Sequence, residues 1–224
     1  MAVAENLARI KREIRLAAEK AGRDPGEITV VAVSKGATLA DIKAAYSLGL
    51  RDFGENRLQD ARQKISALPG DIRWHFIGHL QSNKVKEVIR SFVQIQSLDR
   101  LSLAGKINKA ALEAGATCPC LVQVNIAAEK SKFGLRPEEV KDFLAAVSVL
   151  KGIKIRGFMA MAPLCRDPEE TRPYFKAMRR LYEDNKNFPG TDMTFLSMGM
   201  SNDFHIAVEE GANMVRIGSK LFSN

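Results

Sequence analysis

Short apolar runs rich in β-branched and aromatic residues recur along the chain, and longer segments between them carry apolar residues at helical spacing. Eight such runs stand out: 28–34 (ITVVAVS), 51–55, 73–77 (RWHFI), 92–97 (FVQIQS), 120–125 (CLVQVN), 154–160 (KIRGFMA), 194–198 (TFLSM) and 213–217 (NMVRI). The helical segments have legible ends. Thr38 precedes LADIKAAYSLG with Asp41 in a capping-box place and Gly49 as a left-handed terminator. Pro137 suits a first helical turn, followed by Val140, Phe143, Leu144 and Val147 on one face. Ahead of the first run, Leu7, Ile10, Ile14, Ala17 and Ala21 form an apolar stripe, which predicts an extra helix within residues 1–24, outside or across the bottom of the main fold.

Strand and helix alternating eight times predicts an α/β fold with a single (β/α)8 barrel (a TIM barrel) over 28–222, because parallel strands need helical crossovers and eight of them close without an edge. The whole chain, 1–224, reads as one domain. The alternative, an open doubly wound sheet, lacks its usual support: no GxGxxG follows the first strand and no GxxxxGK[ST] occurs. A length of 224 residues suits one barrel.

Composition narrows the setting. No run approaches the roughly 20 apolar residues of a membrane span, and the first 20 residues lack a signal-peptide core while carrying Glu5, Glu13 and Glu19. A cytoplasmic protein with no membrane partner is expected. The formal charge is +8, from 34 basic and 26 acidic residues, yet basic residues are interspersed with acidic ones and no zinc-finger spacing or interleaved aromatics occur. Nucleic acid is not an expected partner. Cys118, Cys120 and Cys165 form no CxxC pair and read as reduced core fillers.

In a barrel the chemistry sits at the C-terminal strand ends. There Lys35 closes the run VVAVS, where a partly desolvated ammonium with a lowered pKa would attack aldehydes and ketones; a solvent-reaching lysine is the plain alternative. SMGMSNDF and RIGSK, after strands seven and eight, place glycines, a hydroxyl and backbone amides where such barrels commonly bind phosphate. Strand eight neighbours strand one on closure, so lysine and phosphate cradle would adjoin. Pyridoxal 5′-phosphate fits that spacing, with an aldehyde and a phosphate on one ring. Arg216 could then face the pyridine nitrogen, disfavour its protonation and weaken the cofactor as an electron sink; a structural ion pair is the alternative. His75 is expected to line the pocket, and its i, i+4 spacing with His79 is a poor metal signature without HExxH; no metal is expected. Asn56 and Asn125 could orient a ring or cap turns, and Trp74 should be core or pocket wall.

VAVSK at 31–35, FGENRLQ at 53–59, WHFIGHLQSNK at 74–84, IQSLD at 95–99, VNIAAEKSKFG at 124–134, GFMAMAP at 157–163, SMGMSNDF at 197–204 and RIGSKLF at 216–222 resemble the pyridoxal phosphate homeostasis proteins, the YggS/PROSC family. That family resembles the N-terminal barrel of alanine racemase. The resemblance implies a covalent aldimine of pyridoxal 5′-phosphate on Lys35. It puts Asn56 and His75 in the pocket, Ser201 and Gly218 at the phosphate, Arg216 near the pyridine nitrogen, and backbone contacts at Met200 and Ile217.

The implied function is storage, buffering or delivery of pyridoxal phosphate with no catalytic residues and little or no turnover. Racemisation needs two bases on opposite faces of the cofactor, and Tyr46, Tyr174 and Tyr182 all fall in predicted outer helices. The alternatives are a weak pyridoxal-phosphate-dependent racemase and a lysine-dependent aldolase. Delivery allows transient contact with apo-enzymes, to which Lys130 and Lys132 could contribute. A monomer is expected.

Overall fold

A computed structural model describes residues 2–129 and 132–223. Eight parallel strands close in chain order, with β8 returning to β1. They are β1 (Thr29–Val33), β2 (Asp52–Glu55), β3 (Arg73–Phe76), β4 (Gln94–Leu98), β5 (Cys118–Val124), β6 (Ile153–Ala160), β7 (Phe195–Ser197) and β8 (Met214–Ile217). Around them run α1 (Ala2–Lys20), α2 (Leu39–Ser47), α3 (Leu58–Ala67), α4 (Val85–Ser91), α5 (Leu101–Glu113), α6 (Val140–Val147), α7 (Arg172–Asn185), α8 (Phe204–Glu209) and α9 (Ser219–Phe222). This is the (β/α)8 barrel with an N-terminal helix that the alternation predicted. Among the described residues no helix is long and apolar enough to cross a membrane.

Local chemistry accounts for the elements. Thr38 Oγ1 accepts the Asp41 amide while the Asp41 carboxylate accepts the Thr38 amide, and this reciprocal cap starts α2. Val140, Phe143, Leu144 and Val147 are all buried on α6, one turn after Pro137 opens a short 3-10 segment. Leu7, Ile10, Ile14, Ala17 and Ala18 bury one face of α1 against the outer shell, beside α8 and α9. Each large aliphatic side chain so buried stabilises by about 1.5–3 kcal/mol. Asn6 Nδ2 then donates to the carbonyls of Leu221 (3.2 Å) and Ser223 (3.0 Å), and Lys220 Nζ meets Glu13 at 2.6 Å, so the first and last helices are clasped.

The core has two unequal parts. The larger fills the shell between strands and helices and includes Trp74, which packs on Phe53 with ring centroids 5.8 Å apart. The smaller lies inside the barrel, where Val31, Leu121, Met159 and Met214 form a separate apolar cluster. Two register slips shape the interior, one in β4 between Ile95 and Leu98 and one in β6 beside Arg156. Gly157 absorbs the second at φ +139°, and a Cβ there would lie 1.8 Å from the Phe195 carbonyl oxygen, so only glycine fits. All three cysteines are free thiols; Cys118 and Cys120 are buried as expected, but Cys165 is only half-buried, on the loop after β6.

Candidate functional site

A cavity of about 380 Å³ opens at the C-terminal end of the barrel. Val33 and Lys35 follow from β1, Asn56 from β2, and Ile77, Gly78 and His79 from β3. Gln123, Met159, Met161, Met200 and Arg216 form its floor and far wall, and Phe133 covers one side. Met161 and Met200 also border a neighbouring cavity of about 350 Å³, with Ser201, Asn202, Asp203 and Ser219 on its wall. The two together are large enough for a cofactor-sized ligand.

Lys35 stands two residues beyond the end of β1 and is exposed. The expected desolvation therefore fails: the chain carries the amine past the apolar strand end to the cavity rim. Its backbone is held from behind. Lys64 Nζ on α3 donates to the Ser34 carbonyl (2.7 Å) and pairs with Glu55 (2.6 Å), and Ser34 Oγ donates to the same carboxylate oxygen at 2.6 Å. Glu55 is fully buried and Lys64 half-buried, a geometry that stays favourable only while the pair is intact. Breaking it would release the residue preceding Lys35.

Arg216 enters from the opposite wall. Its guanidinium is 4% exposed and donates to Ser197 Oγ (2.7 Å) and the Ala160 carbonyl (2.8 Å). Among the described residues no carboxylate lies within ion-pair distance of it. The structural ion pair that sequence left open does not form. Burial lowers its pKa to about 10, with the more distant Asp203 charge opposing. A guanidinium has five donors, and the two bonds named here leave others to face the cavity.

The loop between β7 and α8 supplies hydroxyl and amides. Gly199 takes φ +91°, a left-handed turn. Asp203 Oδ1 then accepts the Met200 amide at 2.6 Å, and burial raises the pKa of this carboxyl despite that bond and Arg216. The turn sets Ser201 Oγ 3.3 Å from the amides of both Gly218 and Lys220 at the start of α9. Two amides converging on one hydroxyl beside an open cavity form a donor set suited to a phosphate group.

The structure thus brings Lys35, Asn56, Met200 and Arg216 around one cavity, with Ser201 on the adjoining wall and Gly218 within hydrogen-bond reach of it. Met200 offers its side chain, because its amide is already given to Asp203. Ile217 does not line either cavity; it alternates away from Arg216 into the shell core. His75 is separated from the group. It lies within β3, level with Gly54 and Gln94, and the strand ends at Phe76, so Ile77, Gly78 and His79 reach the mouth instead. His75 faces inward at a lower level, with Nε2 3.0 Å from Asp52, and lines a cavity of about 320 Å³ that Asp52, Arg73 and Arg156 share. His79 stacks on Phe133, ring centroids 3.8 Å apart, with Nδ1 3.7 Å from Asp99.

Asn125 takes the turn-holding role, donating to the Glu129 and Lys132 carbonyls. Lys132 Nζ pairs with Glu129 at 2.7 Å and borders the second cavity; Lys130 lies outside the described residues. Sequence reasoning missed Lys64, Gln96 and Gln123 as parts of the site, and marked Ser197 only as the start of the strand-end stretch 197–203. The glutamines had a signal: in VQIQS and LVQVN they alternate with apolar residues inside strands, which marks inward-facing polar positions.

The chain matches the family described as alanine racemase, N-terminal domain, over residues 6–223. A curated relative from Aquifex aeolicus, named pyridoxal phosphate homeostasis protein, is 40% identical over 99% of this chain and 98% of its own. The solved structure of PipY from Synechococcus elongatus with PLP bound superposes with a TM-score of 0.84 at 34% identity, covering 99% of this chain and 100% of that one. An alanine racemase from Clostridium difficile shares the fold at a TM-score of 0.78 and 16% identity; all of this chain covers 56% of that one.

Proposed function

The chain belongs to the alanine racemase N-terminal domain family and, within it, to the pyridoxal phosphate homeostasis proteins, and on that footing we propose that it holds pyridoxal 5′-phosphate for storage, buffering or delivery. One observation carries the reading: buried Arg216, which has no carboxylate partner among the described residues, lines the same cavity as the exposed Lys35 amine. The residues fit the cofactor. Lys35 Nζ is the amine for a covalent link to its aldehyde carbon, and Ser201 with the Gly218 and Lys220 amides suits its phosphate. A Cβ at Gly218 would lie 3.2 Å from the Val33 carbonyl oxygen, so glycine suits the tight packing of α9's start on β1. Asn56 and Met200 border the ring.

When bound, the cofactor supplies an electrophilic carbonyl and a ring able to accept electron density. Arg216, a donor only, would meet the ring nitrogen as an acceptor and keep it unprotonated, which blunts that acceptance. Tyr46 donates its hydroxyl to Asp71 (2.7 Å) and Tyr182 to the Met193 carbonyl (2.7 Å), so neither serves the cavity. This chemistry favours retention over turnover. A weak racemase is the second reading, supported by His79 as an imidazole on the same wall. Transient docking to an apo-enzyme is part of the delivery reading.

Loading the purified protein with pyridoxal phosphate should give a visible absorption band. Borohydride reduction and peptide mapping should then place the label on Lys35, and Lys35→Ala should lose both. Colourless protein that takes up none overturns the reading. Exchange of an amino acid's α-proton at rates typical of a dedicated racemase would select the second one.

A further inference from the structure

A hydrogen-bonded chain runs through the barrel interior from Arg216 to the opposite end. Arg216 Nη1 donates to Ser197 Oγ (2.7 Å), and Ser197 Oγ donates to Gln96 Oε1 (2.8 Å). Gln96 Nε2 lies 3.2 Å from His75 Nδ1, and His75 Nε2 lies 3.0 Å from Asp52 Oδ1. Arg73 closes the chain on Asp52 at the surface, with nitrogen–oxygen distances of 2.8 and 2.5 Å. Ser197, Gln96 and His75 are buried, while Asp52 is half-buried and reaches the cavity at the far end.

Donor bookkeeping gives the chain a direction. Ser197 spends its one proton on Gln96 Oε1, so its lone pairs receive Arg216. The Gln96 amide nitrogen, which also lies 3.5 Å from Gln94 Oε1 and 3.2 Å from Met214 Sδ, faces His75 Nδ1, and a bare Nδ1 accepts from it. In that state the ring proton is on Nε2, given to Asp52. A proton added at Nδ1 sets two donors against each other at 3.2 Å. Its other acceptor is within reach, because Gln94 Oε1 is also 3.2 Å from Nδ1. Protonated His75 thus bonds Gln94 and releases Gln96, and Gln96 is the link to Ser197 and Arg216.

Resting on the cofactor reading above, we propose that His75 is a proton-linked positioning residue: its protonation, from the face opposite the lysine cavity, changes how Gln96 and Ser197 hold Arg216 against the ligand. The charged groups around His75 are Asp52 from β2, Arg73 on its own strand and Arg156 from β6, which shares its cavity. Those around Arg216 are Asp203, Lys35 and His79. Lys35 and the ligand contribute their own titrations to any protein tested, so the difference between parent and cut-chain variant is the readout.

The test compares parent and Gln96→Leu, each loaded with pyridoxal phosphate. Absorption spectra and dissociation constants are followed against pH, together with the His75 Cε1–H resonance. In the parent the band and an about fivefold change in dissociation constant should share the midpoint of the His75 resonance. In Gln96→Leu the His75 titration should persist and the linked optical step vanish. Ser197→Ala cuts the chain one link nearer Arg216 and stands in if Gln96→Leu does not fold, with Ser197→Thr, which keeps the hydroxyl, restoring the step. Equal steps in parent and both cut-chain variants, or a parent spectrum flat through the His75 midpoint, overturn the proposal. Should the parent take up no cofactor, the cofactor reading falls. The Arg216 side-chain ¹⁵N resonances of the apo protein then decide the coupling: movement with His75 in the parent but not in Gln96→Leu supports it, and no movement ends it.

Discussion

The two ends of the barrel interior solve opposite electrostatic problems. At the mouth a buried cation, Arg216, has neutral hydrogen-bond partners and a pKa lowered to about 10 by burial. At the far end a mostly buried acid, Asp52, is saturated by His75 and Arg73; burial pushes its pKa up, yet the two partners outweigh burial and hold it at about 2. A saturated charge is a fixture of the fold, whereas an unsaturated one is held ready for a ligand. The difference sets a mouth with an unpaired cation against a far end whose charges are matched, with the apolar cluster of Val31, Leu121, Met159 and Met214 also inside the barrel.

The largest expected effect falls at the saturated end. Asp52→Ala should cost about 2 kcal/mol in urea unfolding, because it leaves buried His75 without its acceptor. A loss no larger than that of an exposed carboxylate would break the contrast. Acid unfolding probes the same group more gently. Its depressed pKa contributes stability that is complete above the unfolded value near 3.9 and disappears as pH falls toward about 2. About 2 kcal/mol of the parent's stability should go in that window, and in Asp52→Asn that part of the acid limb should be flat.

The mouth should respond in the opposite sense. Arg216→Met removes an unpaired buried charge, so the apo protein should gain about 1 kcal/mol in thermal unfolding while pyridoxal phosphate affinity falls at least about tenfold. Simultaneous loss of both would mark Arg216 as structural and dissolve the comparison. Gly218→Ala should do least to the fold, under about 1 kcal/mol, since Val33 need yield only slightly to a Cβ. It should still weaken binding severalfold by crowding the amide approach, read by equilibrium dialysis.

Much of the barrel was legible in the sequence because period and punctuation agree: each of the eight apolar runs overlaps a strand, and Thr38, Asp41 and Pro137 mark true helix starts. Four of the expected pocket residues converge: Lys35 and Asn56 just past β1 and β2, Met200 in the β7–α8 loop and Arg216 near the end of β8. His75 was misplaced because alternation tells inward from outward but not height along the axis. Moving the strand end from 77 to 76 hands the mouth to Gly78 and His79. Ser197, Gln96 and Lys64 were invisible as partners because they meet Arg216, His75 and Ser34 across sequence separations of 19, 21 and 30 that only closure brings together.

Closure also sets a timetable. β1 and β8 pair along Thr29–Met214 to Ala32–Ile217, and Asn6 grips the carbonyls of Leu221 and Ser223. Lys35 emerges in synthesis well before Arg216, so the pocket they share does not exist until β8 is made and paired with β1. Until the final strand leaves the ribosome, the lysine is one amine among many and a reactive aldehyde finds no preferred seat on the growing polypeptide. On the function proposed above, capture of the cofactor waits for that pairing.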